Sequence, residues 1–294
     1  MTANHATPDH AVADLPQGKI PYRFAGPATS SRPPVVFVHG LLVDDRLWEP
    51  VAARLAAEGV RSYAPTLPLG AHQSPMNADA DLSPEGIAVL AADFIAALGL
   101  SDVTIAGNDT GGAICQIMLG SDTSRIGAAV LTNCDAFGTF PPLGLAPLFY
   151  ALRHPGLVAF LAPQLRSKAV RHGPLAYGLL ASTRLDSGLT RDWVRPLADK
   201  AIRHDLARFA RQVHPRVLLD AAGRFGQFTG PVRILWGDGD RFFKPRLGRQ
   251  LSEAFPRGTF TAVPGGRTFL PLDHPDLVAS EIMAAMHDLV PRQG

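Results

Sequence analysis

Cysteine is scarce. The 294-residue chain has two, Cys115 and Cys134. They make neither the paired spacing of a zinc site nor a disulfide framework, so no structural metal and no crosslink is expected. Both sit in apolar stretches, which predicts buried free thiols. Net charge is also scarce: 28 Lys and Arg against 26 Asp and Glu leave +2. That gives no case for a nucleic-acid partner. No apolar run is long enough to span a bilayer. The polar stretch Met1 to Pro16 lacks the basic-then-apolar order of a leader. A cytoplasmic location without a membrane partner is the expectation, and residues 1–16 read as a mobile arm. Internal repeats and low-complexity tracts are missing too.

What is present is a globular composition, 46% apolar and 18% charged. The length suits one α/β domain with an insertion. Val35 to Val38 is a short continuous apolar run typical of a strand buried on both faces, and Arg61 to Pro65, Val103 to Ala106, Ala128 to Thr132, Val232 to Trp236 and Thr259 to Val263 read as further strands. Helical stretches alternate with them: Trp48 to Ala57, Ser83 to Leu98, Ala113 to Leu119, Pro245 to Phe255 and Pro275 to Leu289. Ser83 reads as an N-cap, with Pro84 at the first helical position. This alternation predicts a mostly parallel sheet covered by helices.

From Phe137 to about Arg224 the pattern becomes helical and is broken by prolines. It reads as a helical cap over 138–222, inserted between core segments 1–137 and 223–294. Between Arg153 and Arg224 lie thirteen Lys and Arg but five Asp. A solvated helical surface explains this; a cap that attracts anions is the alternative.

One motif carries chemistry. Gly107-Asn108-Asp109-Thr110-Gly111-Gly112 joins an apolar strand to a helix-forming stretch. Strand, sharp glycine-bounded turn and helix are the context of a nucleophile elbow. The presented residue is Asp109, which points to attack by a carboxylate and an ester intermediate. An Asp capping the next helix is the plainer reading. The glycine spacing matches neither a dinucleotide fingerprint nor a P-loop.

With these parts in this order, the chain resembles the α/β-hydrolase superfamily, and its carboxylate elbow resembles the branch of haloalkane dehalogenases and epoxide hydrolases. The resemblance implies an α/β-hydrolase fold and a cofactor-free hydrolase of small, largely apolar substrates. It places Asp109 as nucleophile. It makes the N–H groups of Leu41, after the His39-Gly40 turn, and of Thr110 the oxyanion donors. It matches Asp240 to the acid that orients a catalytic histidine; a loop aspartate is the alternative.

Three positions depart from the pattern. Thr110 stands where dehalogenases usually carry Trp. Leu42 stands where Pro is common after the His-Gly turn. Thr268, in Gly265-Gly266-Arg267-Thr268-Phe269, stands where the catalytic histidine is expected. Threonine cannot take a proton from water at neutral pH. A general base contributes roughly 10²–10⁴-fold, so release of an ester needs another group. His274, at the start of the last helix, is the leading candidate. His39 reads as the residue that organises the oxyanion turn, and His72 as a pocket residue. Tyr150 and Tyr177 fall in the cap, where two tyrosines serve epoxide hydrolases, although packing alone accounts for them. Acid–base chemistry by Asp109 without a covalent step, as in an isomerase or lyase, is the alternative function; a binding protein on a hydrolase scaffold is another.

Overall fold

The computed structural model describes residues 9–174 and 176–289. Eight strands form one sheet: β1 (Asp9–Leu15), β2 (Gly18–Ala25), β3 (Val35–Val38), β4 (Ser62–Pro65), β5 (Val103–Asp109), β6 (Ile126–Cys134), β7 (Val232–Gly237) and β8 (Gly258–Val263). Their spatial order is β1-β2-β4-β3-β5-β6-β7-β8. Pairs β1/β2 and β2/β4 are antiparallel, and the rest are parallel.

The first two strands correct the expected N-terminal arm. Residues 9–15 form a hairpin partner of β2, with Asp9 opposite Phe24 and Leu15 opposite Gly18. Alternation decides this: Ala13 and Leu15 point inward and are buried, while Asp14 between them is exposed. Residues 1–8 of that arm lie outside the described residues.

Twelve helices accompany the sheet among the described residues. Before the insertion come α1 (Glu49–Ala57), α2 (Pro84–Ala97) and α3 (Thr110–Leu119). The side chain of Ser83 caps α2, accepting from the Gly86 N–H at 3.0 Å. All ten residues of α3 are buried, because this helix packs between sheet and neighbouring helices. Both cysteines are free and buried, as the composition suggested.

Between β6 and β7 the chain runs through α4 (Ala146–Leu152), α5 (Pro155–Leu161), α6 (Lys168–Arg171), α7 (Ser187–Val194), α8 (Lys200–Gln212) and α9 (Pro215–Ala222). Prolines begin or follow several of these short helices, which explains their length. The insertion is tied to the loops at the strand C-terminal ends. Trp193 Nε1 donates to Asp44 Oδ1 at 2.8 Å, and the Phe269 N–H donates to the Leu180 carbonyl at 2.7 Å. The fold closes with α10 (Pro245–Glu253), α11 (Leu270–Asp273) and α12 (Pro275–His287). No single described helix is long and apolar enough to cross a membrane.

Candidate active site

Strand β5 is buried along its whole length and ends on Asp109. There the backbone takes φ +54° and ψ −130°, then enters α3. A left-handed non-glycine residue is strained by about 1–3 kcal/mol and persists only where its surroundings enforce it. Here the enforcement is close backbone approach. A Cβ on Gly111 would overlap the Val38 carbonyl oxygen, and one on Gly40 would overlap Asp109 Oδ2. The two glycines therefore let the β3 loop and the elbow meet.

That meeting places a donor on the carboxylate. The Leu41 N–H donates to Asp109 Oδ2 at 3.1 Å, and the Thr110 N–H, at the start of α3, also acts to lower the pKa of that carboxyl. The loop is fixed by its neighbours. Leu42, itself at φ +57°, donates its N–H to the Leu69 carbonyl at 2.9 Å. The Tyr177 hydroxyl reaches across from the insertion to the Leu42 carbonyl.

His39 completes the brace. Its Nε2 accepts from the Leu67 N–H at 2.8 Å, so Nδ1 carries the hydrogen and donates it to the Gly40 carbonyl at 2.9 Å. Both ring nitrogens are committed, and burial lowers its pKa, so the ring is neutral. Neither ring nitrogen is left free to take a proton from water.

Asp240 follows β7, is 3% exposed and is saturated with donors. Oδ1 accepts from the N–H groups of Phe242 at 2.8 Å and Phe243 at 3.0 Å. Oδ2 accepts from Asn133 Nδ2 and from Thr268 Oγ1, both at 2.8 Å. Thr268 is fully buried, and its carbonyl accepts from Asn108 Nδ2 at 2.6 Å. Asp109, Asp240 and Thr268 thus belong to one linked region, through Asn108, the residue preceding Asp109. It includes two asparagines, Asn108 and Asn133, that sequence reasoning missed. Asn108 lies inside the elbow motif, where Asp109 drew the chemistry, and Asn133 lies just past the strand expected to end at Thr132.

Burial dominates the electrostatics. It pushes the Asp109 carboxyl up to about 7, with Asp240 raising it further and the Leu41 and Thr110 N–H groups opposing. The Asp240 carboxyl is also raised, mainly by burial. Asp135, just past β6, is a third buried carboxyl, 1% exposed and raised well above the usual range by burial and by Asp109. Among the described residues no group of three or more His, Cys, Asp or Glu is placed to hold a metal ion.

Among the described residues, the remaining candidates make no hydrogen bond to Asp109. His274 is half-buried between α11 and α12, its N–H bonded to the Leu270 carbonyl, and it is not among the groups acting on Asp109. His72 is buried with Nδ1 accepting from the Gly70 N–H at 3.3 Å and Nε2 facing Asp205 of α8 at 3.4 Å. It fastens the loop after β4 to the insertion. Tyr150 corrects the pocket expectation: it is 62% exposed and packs edge-on against His154. Tyr177 is buried between Trp193 and Phe269. A cleft of about 670 Å³ opens elsewhere, lined by Arg23, Asp44, Asp45, Arg46 and Asp192, and does not include Asp109.

A family model for the alpha/beta hydrolase fold matches residues 33–275. The chain belongs to this family. Membership supports a hydrolase as the enzyme class. Among solved structures, an alpha/beta hydrolase fold protein of Burkholderia ambifaria is similar at 23% identity and TM-score 0.78, covering 96% of this chain and all (100%) of that one. The haloalkane dehalogenase DbeA of Bradyrhizobium elkani is similar at 16% identity and TM-score 0.75, covering 95% and 98%. At such identities the likeness shows the fold. The comparison with curated protein sequences found no match.

Proposed function

We propose that the chain is a cofactor-independent hydrolase of small, largely apolar molecules in which Asp109 attacks carbon. The observation that carries this is the elbow itself: a carboxylate at a strained turn, with Oδ2 already bonded to the Leu41 N–H at 3.1 Å. Oδ1 is then the attacking atom. Attack gives an ester of Asp109, and Oδ2 becomes its carbonyl oxygen. When water adds to that carbonyl, negative charge gathers on Oδ2, where Leu41 already points a donor. Donors aimed in advance at developing charge need no reorganisation, and one such donor is typically worth about 10²–10³-fold.

The residue after the nucleophile bears on the substrate class. Thr110 has no indole N–H to hold a departing halide. A strained cyclic ether, whose leaving group is an oxygen of the same molecule, fits better than an alkyl halide. The proposed cap over 138–222 would close the site, with Tyr177 bracing the oxyanion loop.

One feature favours a second reading. A carboxyl pushed up to about 7 is suited to proton transfer at neutral pH, as an isomerase or lyase would require. Hydrolysis of styrene oxide in heavy-oxygen water separates the two. Asp109 as nucleophile incorporates the heavy oxygen into its own carboxyl group, and Asp109→Asn abolishes turnover. Turnover with no label in the Asp109 peptide sinks the covalent route.

A further inference from the structure

The chain holds a carboxyl group that the oxyanion geometry leaves unused. Asp109 pairs with Cys134 across the β5–β6 ladder, so Asp135 leaves the sheet next to the nucleophile's position. It is 1% exposed, and its Oδ1 is buried with no hydrogen-bond donor. Its backbone is anchored instead: Gln116 Nε2, from α3, donates to its carbonyl oxygen at 2.6 Å. The titratable groups that interact with this pair are Asp240 after β7, which acts on Asp109, and Cys134 at the end of β6, on which both carboxyls act. Among the described residues no Lys, Arg or His acts on either carboxyl.

Two neighbouring buried carboxyls without a cation cannot both ionise at neutral pH. The hydrogen bonds decide which one does. Asp109 accepts from the Leu41 N–H, and the Thr110 N–H also favours its charged form, so an anion is stabilised there. Asp135 has an oxygen with no donor, which penalises an anion and is tolerable in an acid. The proton belongs on Asp135.

We infer that Asp135 is the acid–base partner of Asp109, entering the cycle protonated and supplying the proton traffic that Thr268 cannot. This rests on the proposal that Asp109 is the nucleophile. In the first half, Asp109 Oδ1 forms a bond to carbon, the carbon–oxygen bond of the strained ether breaks, and its electron pair takes the proton of Asp135. Esterification removes the charge of Asp109, so ionising Asp135 becomes easier at the step that needs its proton. In the second half, the Asp135 carboxylate takes one proton from water as the water oxygen adds to the Asp109 carboxyl carbon. Collapse breaks the ester bond to the departing alcohol oxygen. That oxygen takes the remaining water proton, now on the Asp109 carboxyl. Asp109 returns as carboxylate and Asp135 as acid; the net reaction adds one water.

The test joins a spectroscopic readout to kinetics. Infrared spectra of the folded protein at pH 8.5, well above the value of about 7 for Asp109, should contain a buried carboxylic-acid carbonyl band that persists in Asp109→Asn and disappears in Asp135→Asn. With styrene oxide, Asp135→Asn should lower kcat/KM by at least about 10²-fold. The alkaline limb of the pH profile should vanish from the residual activity. With 1-bromohexane, whose leaving bromide needs no proton, the same variant should accumulate an alkyl adduct on Asp109, seen by intact mass. If Asp135→Asn does not fold, Asp135→Glu should shift the acid band rather than remove it. An absent band in wild type, or an Asp135→Asn variant with unchanged rate and pH profile, overturns the assignment and leaves the nucleophile reading intact. A wild type that forms no adduct and turns over neither probe overturns the nucleophile reading instead.

Discussion

Thr268 gives its hydroxyl hydrogen to Asp240 Oδ2 over 2.8 Å. The resemblance to haloalkane dehalogenases and epoxide hydrolases implies that an acid in that place would hold an imidazole. Here it holds a short alcohol, and the same oxygen also takes Asn133 Nδ2. The acid has become a structural hub joining β6, β7 and the loop after β8.

Removing the hydroxyl tests that role. Thr268→Val keeps the side-chain shape and leaves Oδ2 of a 3%-exposed carboxyl with one donor. A hydrogen bond to a charged group is worth about 1.5–3 kcal/mol. Chemical denaturation should show a loss of that size. A change within about 0.5 kcal/mol would mean that the bond contributes nothing to the fold.

Asp109 should make stability depend on pH in a direction opposite to that of an ordinary salt-bridged aspartate. Its folded pKa is about 7, above its usual 3.8. Between those values the folded protein binds more proton than the unfolded chain, so stability falls as pH rises. The penalty is absent below about 4 and complete above about 7. Each tenfold difference in proton affinity between the folded and unfolded chain is worth about 1.4 kcal/mol. Asp109→Asn removes the penalty. Compared with wild type, the variant should gain on the order of 4 kcal/mol in relative stability between pH 4 and pH 8. Paired unfolding curves check this, and a gap that stays constant across that range refutes it. Activity runs the other way: attack needs the anion, so turnover should rise with pH through about 7.

Most of the fold was legible because periodicity and punctuation agree along the chain. Val35–Val38 is wholly buried, as an unbroken apolar run in a parallel sheet should be. Ser83 and Pro84 mark the start of α2 to the residue. The elbow could be found because only one turn geometry needs glycine on both sides of a single presented residue. The hairpin β1–β2 was missed because β1 is an edge strand, its pattern weakened by alanines and half of its positions exposed. Asp135 was missed for a different reason. In sequence it looks like a loop acid beyond a strand ending at Thr132. The strand in fact continues to Cys134, which carries the carboxyl inside. Its importance lies in what it lacks, a donor, and no sequence motif records that.

The insertion and the oxyanion turn should be coupled through Tyr177. Its buried hydroxyl donates to the Leu42 carbonyl, one residue past the Leu41 donor. Tyr177→Phe should cost about 0.5–1.5 kcal/mol of stability. It should also lower kcat more than it raises KM, because the lost brace positions a group used in the transition state. Tyr150→Phe is the control. That ring is 62% exposed, so its stability change should stay within about 0.5 kcal/mol and its kinetics should match wild type. Equal effects at the two positions would remove the coupling.

Gly40 offers the sharpest separation of folding from chemistry. A Cβ there would overlap Asp109 Oδ2 and lie 2.7 Å from the Asp109 Cβ. Gly40→Ala must therefore push Asp109 or the turn aside. Overpacking of this kind costs about 1–3 kcal/mol. The stability loss should leave a folded protein, since a domain of this kind is stable by about 5–15 kcal/mol. The chemical consequence should be larger. A displacement near 1 Å at a reacting group can cost about 10²-fold, and the Leu41 N–H bond to Oδ2 is lost at the same time. Turnover should fall by at least that factor while the circular dichroism spectrum is retained. Full activity in a folded Gly40→Ala protein would mean that the carboxylate need not sit against the oxyanion turn, and the proposed route to the ester would fall with it.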